Sequence, residues 1–177
     1  MRILHTSDWH LGRIFHGTYL TGDQAHVLQQ FIQLAGEARP DVILITGDIY
    51  DRSVPPTEAI NLLDETLSRI LMDYKVPVIL ITGNHDSPDR LGFGARLMAR
   101  QELHLIGQLT DMLKPVVIND QYGPVYFCPA PYAEPPLVRE RLLAPDAVNH
   151  EQAMRSMIQR LSAPIPAGAR KVVLAHA

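Results

Sequence analysis

Side chains of the types that bind metal ions follow four apolar runs of the sequence. They are Asp8 and His10 after RILHT, Asp48 and Asp51 after VILIT, Asn84, His85 and Asp86 after a second VILIT, and His176 after KVVLA. Imidazole and oxygen donors without thiolate suit divalent manganese, iron or zinc. The sequence therefore predicts a metal centre wherever the ends of these runs meet.

Two of the runs are almost the same phrase. Residues 42–48 read VILITGD and residues 78–84 read VILITGN, so that Asp48 corresponds to Asn84. A carboxylate can bridge two cations, whereas an amide offers one good oxygen donor. We therefore expect Asp48 to be shared by two ions and Asn84 to bind one of them. Two ions ~3.5–4 Å apart can activate a hydroxide nucleophile and hold a phosphoryl group.

The residues after Asn84 predict a catalytic role next to such a centre. His85 is placed to reach the substrate, as a phosphate ligand or as general acid to the leaving oxygen, and Asp86 is its expected orienting partner. Each cluster alone has an ordinary explanation, because Gly-Asp often forms a turn and Asn or Asp often caps a helix. Three clusters without Lys or Arg at successive strand ends favour the metal site, since crowded carboxylates repel one another unless cations neutralise them.

Hydrophobic periodicity predicts the elements that would carry these residues. The N-terminal half follows a βαβαβ pattern, with strands at 2–6, 42–46 and 77–82 and helices at 24–38 and 57–73. Such alternation favours a parallel sheet covered by helices, whose carboxyl edge gathers ligands. The final strand would bring His176 to that edge if it also runs parallel.

The C-terminal half predicts shorter elements and a change in the sheet. We expect strands at 104–107, 115–119 and 124–130 (the last two as a hairpin), an exposed excursion at 131–146, a helix at 149–161 and a strand at 171–177. A mixed or antiparallel arrangement is predicted here.

Composition limits the class of protein. The chain has 177 residues, 46% of them apolar, which suits one globular domain. Its formal charge of −3 is not the excess of positive charge that is typical of proteins that bind nucleic acid strongly on their own. The single cysteine, Cys128, excludes an internal disulfide, and no run resembles a signal peptide or membrane span. We therefore expect a cytoplasmic protein that does not associate with membranes.

Longer phrases resemble a known family. HTSDWHLGR (5–13), GDIYDRSVPP (47–56), GNHDSPDRLGFGARL (83–97) and PAPYAEPP (129–136) are similar to the SbcD-type DNA exonucleases of the calcineurin-like metallophosphoesterase superfamily. The resemblance implies an α/β fold, a four-layer α/β/β/α sandwich with mixed sheets. It also implies a two-metal site, with Mn²⁺ as the expected ion.

The same resemblance implies a function and a set of roles. The function is 3′-to-5′ cleavage of DNA, with endonuclease activity on hairpins or single strands, in a nucleoid-associated complex of two nuclease subunits and two SbcC-type ATPase subunits. Asp8, His10 and Asp48 would hold one ion, Asp48, Asn84 and His176 the other, and His85 would be the catalytic histidine.

The sequence also departs from the superfamily pattern. A Gly-His-x-His element, which gives each ion one more histidine, is missing from these residues. Residues 1–177 are therefore expected to form one nuclease domain that is truncated at its C-terminus and lacks a cap, with exposed strand edges that favour dimerisation. Two other functions stay open: hydrolysis of another phosphate ester, and a non-catalytic interaction module.

Overall fold

The computed structural model describes residues 1–110 and 114–176. Its strands are β1 Ile3–Thr6, β2 Ile14–Phe15, β3 Thr18–Tyr19, β4 Val42–Thr46, β5 Val78–Ile81, β6 Leu103–Ile106, β7 Val116–Asp120, β8 Gly123–Ala130 and β9 Arg170–Ala175. Its helices are α1 Thr21–Ala38, α2 Thr57–Ser68 with a π-helical extension Arg69–Asp73, α3 Pro88–Leu91, α4 Ala95–Met98 followed by a 3₁₀ turn, α5 Pro135–Leu142 and α6 His150–Ser162. In this part of the chain, no helix combines the length and the apolarity needed to cross a membrane.

The first sheet is parallel, and its central strands β4 and β5 are buried on both faces. Its strand order is β1-β4-β5-β6, and every pair in it is parallel. Alternate residues of β4 enter different cores: Ile43 and Ile45 pack with residues of α1 and α2, whereas Val42 and Leu44 pack with residues of β8 and α6. Burial on both faces explains the continuous apolar runs in the sequence.

The second sheet has the strand order β7-β8-β9. The β7–β8 pair is the expected antiparallel hairpin, and β9 pairs with β8 in parallel. Helices α5 and α6 pack against each other, and α6 also contacts β8. The layers are therefore α1 and α2, the first sheet, the second sheet, then α5 and α6, which confirms the predicted four-layer α/β/β/α sandwich.

The position of the last strand differs from the sequence interpretation. The sequence interpretation brought His176 to the carboxyl edge on condition that the last strand runs parallel to the others, but β9 belongs to the second sheet. The sheets are linked at their carboxyl ends, where the backbone N–H of Tyr132 donates to the carbonyl of Thr82 at 3.0 Å. His176 therefore reaches the edge of the first sheet from the neighbouring layer. Ala177, the last residue of the predicted strand, lies outside the described residues.

The excursion predicted at 131–146 is wrong over half its length. Helix α5 begins there with two prolines and buries Pro135, Val138 and Leu142. Proline is favourable in the first helical turn, where its missing N–H would have no intrahelical partner. The prolines therefore mark the start of a helix in this segment. The short hairpin β2–β3 and the short helices α3 and α4 were also not predicted.

An ion pair joins the two outer strands of the second sheet. The guanidinium of Arg170 on β9 donates to both carboxylate oxygens of Asp120 on β7, at 2.9 and 2.7 Å. The amino group of Met1 lies 3.1 Å from the same carboxylate. These hydrogen bonds, above all those from Arg170, hold the pKa of the Asp120 carboxyl well below its ordinary value.

This pKa shift predicts acid-sensitive stability. A carboxyl with a depressed pKa stabilises the fold above its unfolded-state pKa of ~3.9, and this contribution is lost as pH falls through the folded-state pKa. We expect Asp120→Asn to lower the urea midpoint at pH 7 and the deficit to shrink between pH 4 and pH 3. Urea unfolding monitored by circular dichroism measures this, with Asp73→Asn at an exposed helix end as the control. A deficit that does not change with pH would contradict the assignment.

Candidate metal centre

The loops after β1 and β4 run side by side and are held by backbone hydrogen bonds. The N–H groups of Asp8, His10 and Leu11 donate to the carbonyls of Gly47, Asp48 and Ile49, at 3.1, 2.9 and 2.9 Å. The parallel pairing of the strands thus continues beyond their ends. As a result, the first two predicted clusters lie against each other at the carboxyl edge of the sheet.

Three of the predicted ligands have left-handed backbone conformations. The φ angles are 56° at Asp8, 44° at His10 and 50° at Asp48. Asp, Asn and His are the non-glycine residues that adopt this region most readily, yet it remains sparsely populated. Strained residues persist where the surrounding structure holds them, and they concentrate at functional sites.

Asp48 lies at the middle of the cluster. Its side chain is buried, and its two oxygens face different residues. Oδ2 is 3.6 Å from Nε2 of His10 and 3.9 Å from Nε2 of His85, whereas Oδ1 is 3.5 Å from Nε2 of His176. A carboxylate with a histidine near each oxygen has the arrangement that a shared ligand requires.

His176 is oriented by a contact between the two sheets. Its Nδ1 donates to the backbone carbonyl of Thr46 at 2.9 Å. Because a carbonyl only accepts, Nδ1 carries a proton, and Nε2 lies 3.2 Å from Oδ1 of Asn84. Metal-binding histidines usually donate their second ring nitrogen in this way. Asp8, Asp48 and His176 each offer an atom to one group whose members all lie within 4.8 Å of one another.

His10 provides an independent test of whether a cation fits. Its Nε2 lies 3.9 Å from Oδ1 of Asp8, while its Nδ1 is buried and has no hydrogen-bond partner in the described part of the chain. The nearest carboxylate oxygen to Nδ1 is Oδ1 of Asp51, at 3.5 Å. A buried polar atom without a partner is costly unless a further group satisfies it.

The donor set also fits divalent ions. Donors at right angles around an ion, each at ~2.1 Å from it, lie ~3 Å apart, and opposite donors lie ~4.2 Å apart. The separations of 3.2–3.9 Å between the atoms described above fall within this interval. Arg13 approaches the cluster at Asp51, with a distance of 3.9 Å between Nη1 and Oδ1. One guanidinium does not balance the carboxylates gathered here, so the described residues fit a divalent metal.

His85 lies at the exposed rim of the cluster. Its backbone N–H donates to Oδ1 of Asp48 at 3.0 Å, and its Nδ1 donates to the backbone carbonyl of Asp51 at 2.8 Å. This hydrogen bond to Asp51 is the main reason why the pKa of His85 is raised, and the charges of nearby carboxylates add to it. Nε2 is thus held toward the space above Asp48, within reach of a bound molecule.

Asp86 does not orient the His85 ring, contrary to the sequence interpretation. It is buried, and its carboxylate accepts the backbone N–H groups of Ile49, Tyr50 and Gly83, at 3.1, 2.9 and 2.9 Å. Burial raises its pKa, while these hydrogen bonds act in the opposite direction. The carbonyl of Asp51 takes the orienting role that was expected of Asp86. Asp86 instead ties the loop after β4 to the loop after β5.

The structure brings together all the predicted ligands, namely Asp8, His10, Asp48, Asn84 and His176, with His85 beside them. Their division between two ions stays a prediction. By proximity, Asp51 forms a second candidate group with His10 and His85, again within 4.8 Å. Sequence reasoning placed Asp51 at this edge but did not count it as a ligand, although its place in the GDIYD phrase was a usable signal.

Comparison with known proteins agrees with this geometry. The family described as calcineurin-like phosphoesterase matches residues 1–140. The chain belongs to the calcineurin-like phosphoesterases. It is also 34% identical over 176 residues to an SbcCD nuclease subunit of Staphylococcus epidermidis (strain ATCC 12228 / FDA PCI 1200), an alignment that covers 99% of this chain and 46% of that relative. The chain thus spans about half the length of this curated relative.

Close packing around the two repeated glycines gives a test of the site in this calcineurin-like phosphoesterase. A Cβ on Gly83 would collide with a carboxylate oxygen and the backbone nitrogen of Asp48. We expect Gly83→Ala to displace Asp48 and to weaken Mn²⁺ binding by about tenfold or more, as loss of supporting contacts does in other metal sites. Isothermal titration calorimetry with Mn²⁺ measures the effect.

The matched control is Gly22→Ala on α1, where a Cβ would meet nothing within 4 Å. Alanine favours helix over glycine, so this variant should bind Mn²⁺ normally and unfold at the same temperature or slightly above. Equal Mn²⁺ affinity in the two variants would contradict the packing argument at Gly83.

Proposed function

We propose that this protein is the nuclease subunit of an SbcCD-type complex and hydrolyses DNA phosphodiesters with two divalent ions. The observation that carries the proposal is the convergence of three aspartates, three histidines and one asparagine in the cluster centred on Asp48. The similarity to a nuclease subunit of SbcCD over 99% of the chain supports DNA as the substrate. The proposed activity is 3′-to-5′ exonuclease cleavage, with endonuclease cleavage of hairpins or single strands.

In this proposal Asp8, His10 and Asp48 hold one ion, and Asp48, Asn84 and His176 hold the other. When bound, two Mn²⁺ ions supply Lewis-acid polarisation of the phosphate and lower the pKa of water. The chain's own contribution is to fix the donors in advance. The left-handed backbone at Asp8, His10 and Asp48 and the hydrogen bond from His176 to the Thr46 carbonyl hold these donors in position.

His85 is the proposed general acid. Its Nδ1 is held by the carbonyl of Asp51, which leaves Nε2 to face a bound phosphodiester and to donate a proton to the leaving oxygen. Asp86 acts as a positioning residue, because it fixes the loop from which His85 projects.

The proposed partners follow from the same similarity. An SbcC-type ATPase and a second copy of this chain would complete the complex. The net charge of −3 is low for a protein that grips DNA alone, which agrees with a partner supplying much of the DNA contact.

Removal of His85 tests the catalytic assignment. We expect His85→Ala to lower Mn²⁺-dependent degradation of 3′-labelled duplex DNA by about 10²–10⁴-fold, the usual contribution of a general acid. Mn²⁺ affinity should change little, and EDTA should abolish cleavage by the unmutated protein. Gel analysis of the labelled DNA gives the rate, and titration calorimetry gives the affinity.

The matched control is His26→Ala, which removes an exposed imidazole from α1 and should leave cleavage unchanged. Full cleavage by His85→Ala would overturn the catalytic role. Hydrolysis of bis(p-nitrophenyl) phosphate while DNA stays intact would instead indicate a phosphoesterase for another substrate.

Substitution of Asp48 tests the shared ligand. Asn keeps the size and tolerates the left-handed backbone, but it offers one oxygen donor and no charge. We expect Asp48→Asn to lose one bound Mn²⁺ ion and to hold the other more weakly, as measured by equilibrium dialysis with elemental analysis. Asp73→Asn should keep the wild-type count and affinity. Retention of both ions, or loss of one ion with unchanged affinity for the other, is the result that contradicts bridging.

A further inference from the structure

One side chain of α1 makes three hydrogen bonds to the loop that carries His10. The Nε2 group of Gln24 donates to the backbone carbonyls of Trp9 and His10, at 3.1 and 2.7 Å. Its Oε1 accepts from the backbone N–H of Gly12, at 3.1 Å. Gln24 lies in the first turn of α1 and is half-buried against this loop.

These contacts add to backbone hydrogen bonds that already hold the loop against residues 47–51. The N–H groups of His10 and Leu11 are already taken by carbonyls of the loop after β4. The carbonyls of Trp9 and His10 accept from Gln24 on α1, and the His10 carbonyl also accepts from the backbone N–H of Arg13 at 3.2 Å. An amide side chain offers donors and an acceptor together, so it can bind two carbonyls and one N–H of the same loop.

The loop needs such support because its backbone is strained. Within five residues, Asp8, His10 and Gly12 all have positive φ, at 56°, 44° and 83°. If the Trp9 carbonyl loses Gln24, the peptide between Trp9 and His10 can rotate toward a more common conformation. Rotation at His10 would carry its ring away from Asp48, because the direction of a side chain follows the φ and ψ of its own residue.

We propose that Gln24 is a positioning residue for the metal site: it holds His10 in the left-handed conformation that directs the imidazole at Asp48. The role rests on the proposed function only in assigning His10 to an ion. Gln24 itself lies outside the cluster and acts through the backbone of residues 9–12. The first helix thereby sets the geometry of a ligand that follows the first strand.

The test compares Gln24→Met with Gln33→Met. Met is unbranched and of similar length, so it keeps the packing at position 24 but loses all three hydrogen bonds. Gln33 is an exposed residue of the same helix and provides the matched control. Mn²⁺ affinity and stoichiometry are measured by titration calorimetry, and amide exchange of Gly12 is measured by NMR in metal-free protein.

We expect Gln24→Met to weaken one of the two Mn²⁺ sites about 10–100-fold, the range known for residues that support metal ligands. The other site should keep its affinity, and Gly12 exchange should accelerate. Gln24→Glu keeps the acceptor but loses both donors, so it should weaken the same site. A lower melting temperature with unchanged Mn²⁺ affinity would show a merely structural role and overturn the proposal, as would wild-type affinity in Gln24→Glu.

Failure of the proposed function is visible separately, in the unmutated protein, as an absence of Mn²⁺ binding or of DNA cleavage. Amide exchange of Gly12 needs no metal, so it reports on the hydrogen bonds between Gln24 and the loop in either case. Identical Gly12 exchange in Gln24→Met and Gln33→Met would overturn the claim that Gln24 supports the loop.

Discussion

The buried carboxylate of Asp86 is the interaction on which the arrangement of the metal cluster depends. It joins the loop after β4 to the loop after β5 by accepting three backbone N–H groups. Hydrogen bonds to an ionised acceptor are stronger than neutral ones, and loss of the acceptor would leave buried donors without partners. Asp48 and Asn84 belong to these two loops, so their separation is set by a residue that need not contact an ion.

The second constraint is the meeting of two sheets. Parallel strands of one sheet deliver Asp8, Asp48 and Asn84 to one edge, while His176 arrives from the end of β9 in the other sheet. The contact between His176 and the Thr46 carbonyl holds this meeting point. A Cβ on Gly47 would collide with the His176 ring, and one on Gly83 would collide with Asp48. The repeated VILITG phrase therefore has a packing reason at both glycines.

Much of this could be predicted because buried parallel strands have continuous apolar sequences and place their following residues at one edge. The βαβαβ order and the gathered ligands follow from that rule. The sheet of β9 could not be predicted, because the pairing Val125↔Arg170 joins residues far apart in sequence. Gln24 and Asp86 were missed or misassigned for a related reason: periodicity identifies the buried face of an element, but not which backbone groups a polar side chain will bind.

The left-handed backbone at Asp8, His10 and Asp48 gives each of these positions two separate requirements. The side chain must be a donor to a cation, and the residue must also tolerate a positive φ, which few residue types do. Alanine at any of them removes a ligand and strains a turn at once, so its effect on activity cannot be read as chemistry alone. In a related protein with this fold that no longer binds metal, asparagine or glycine at these positions would cause the least backbone strain.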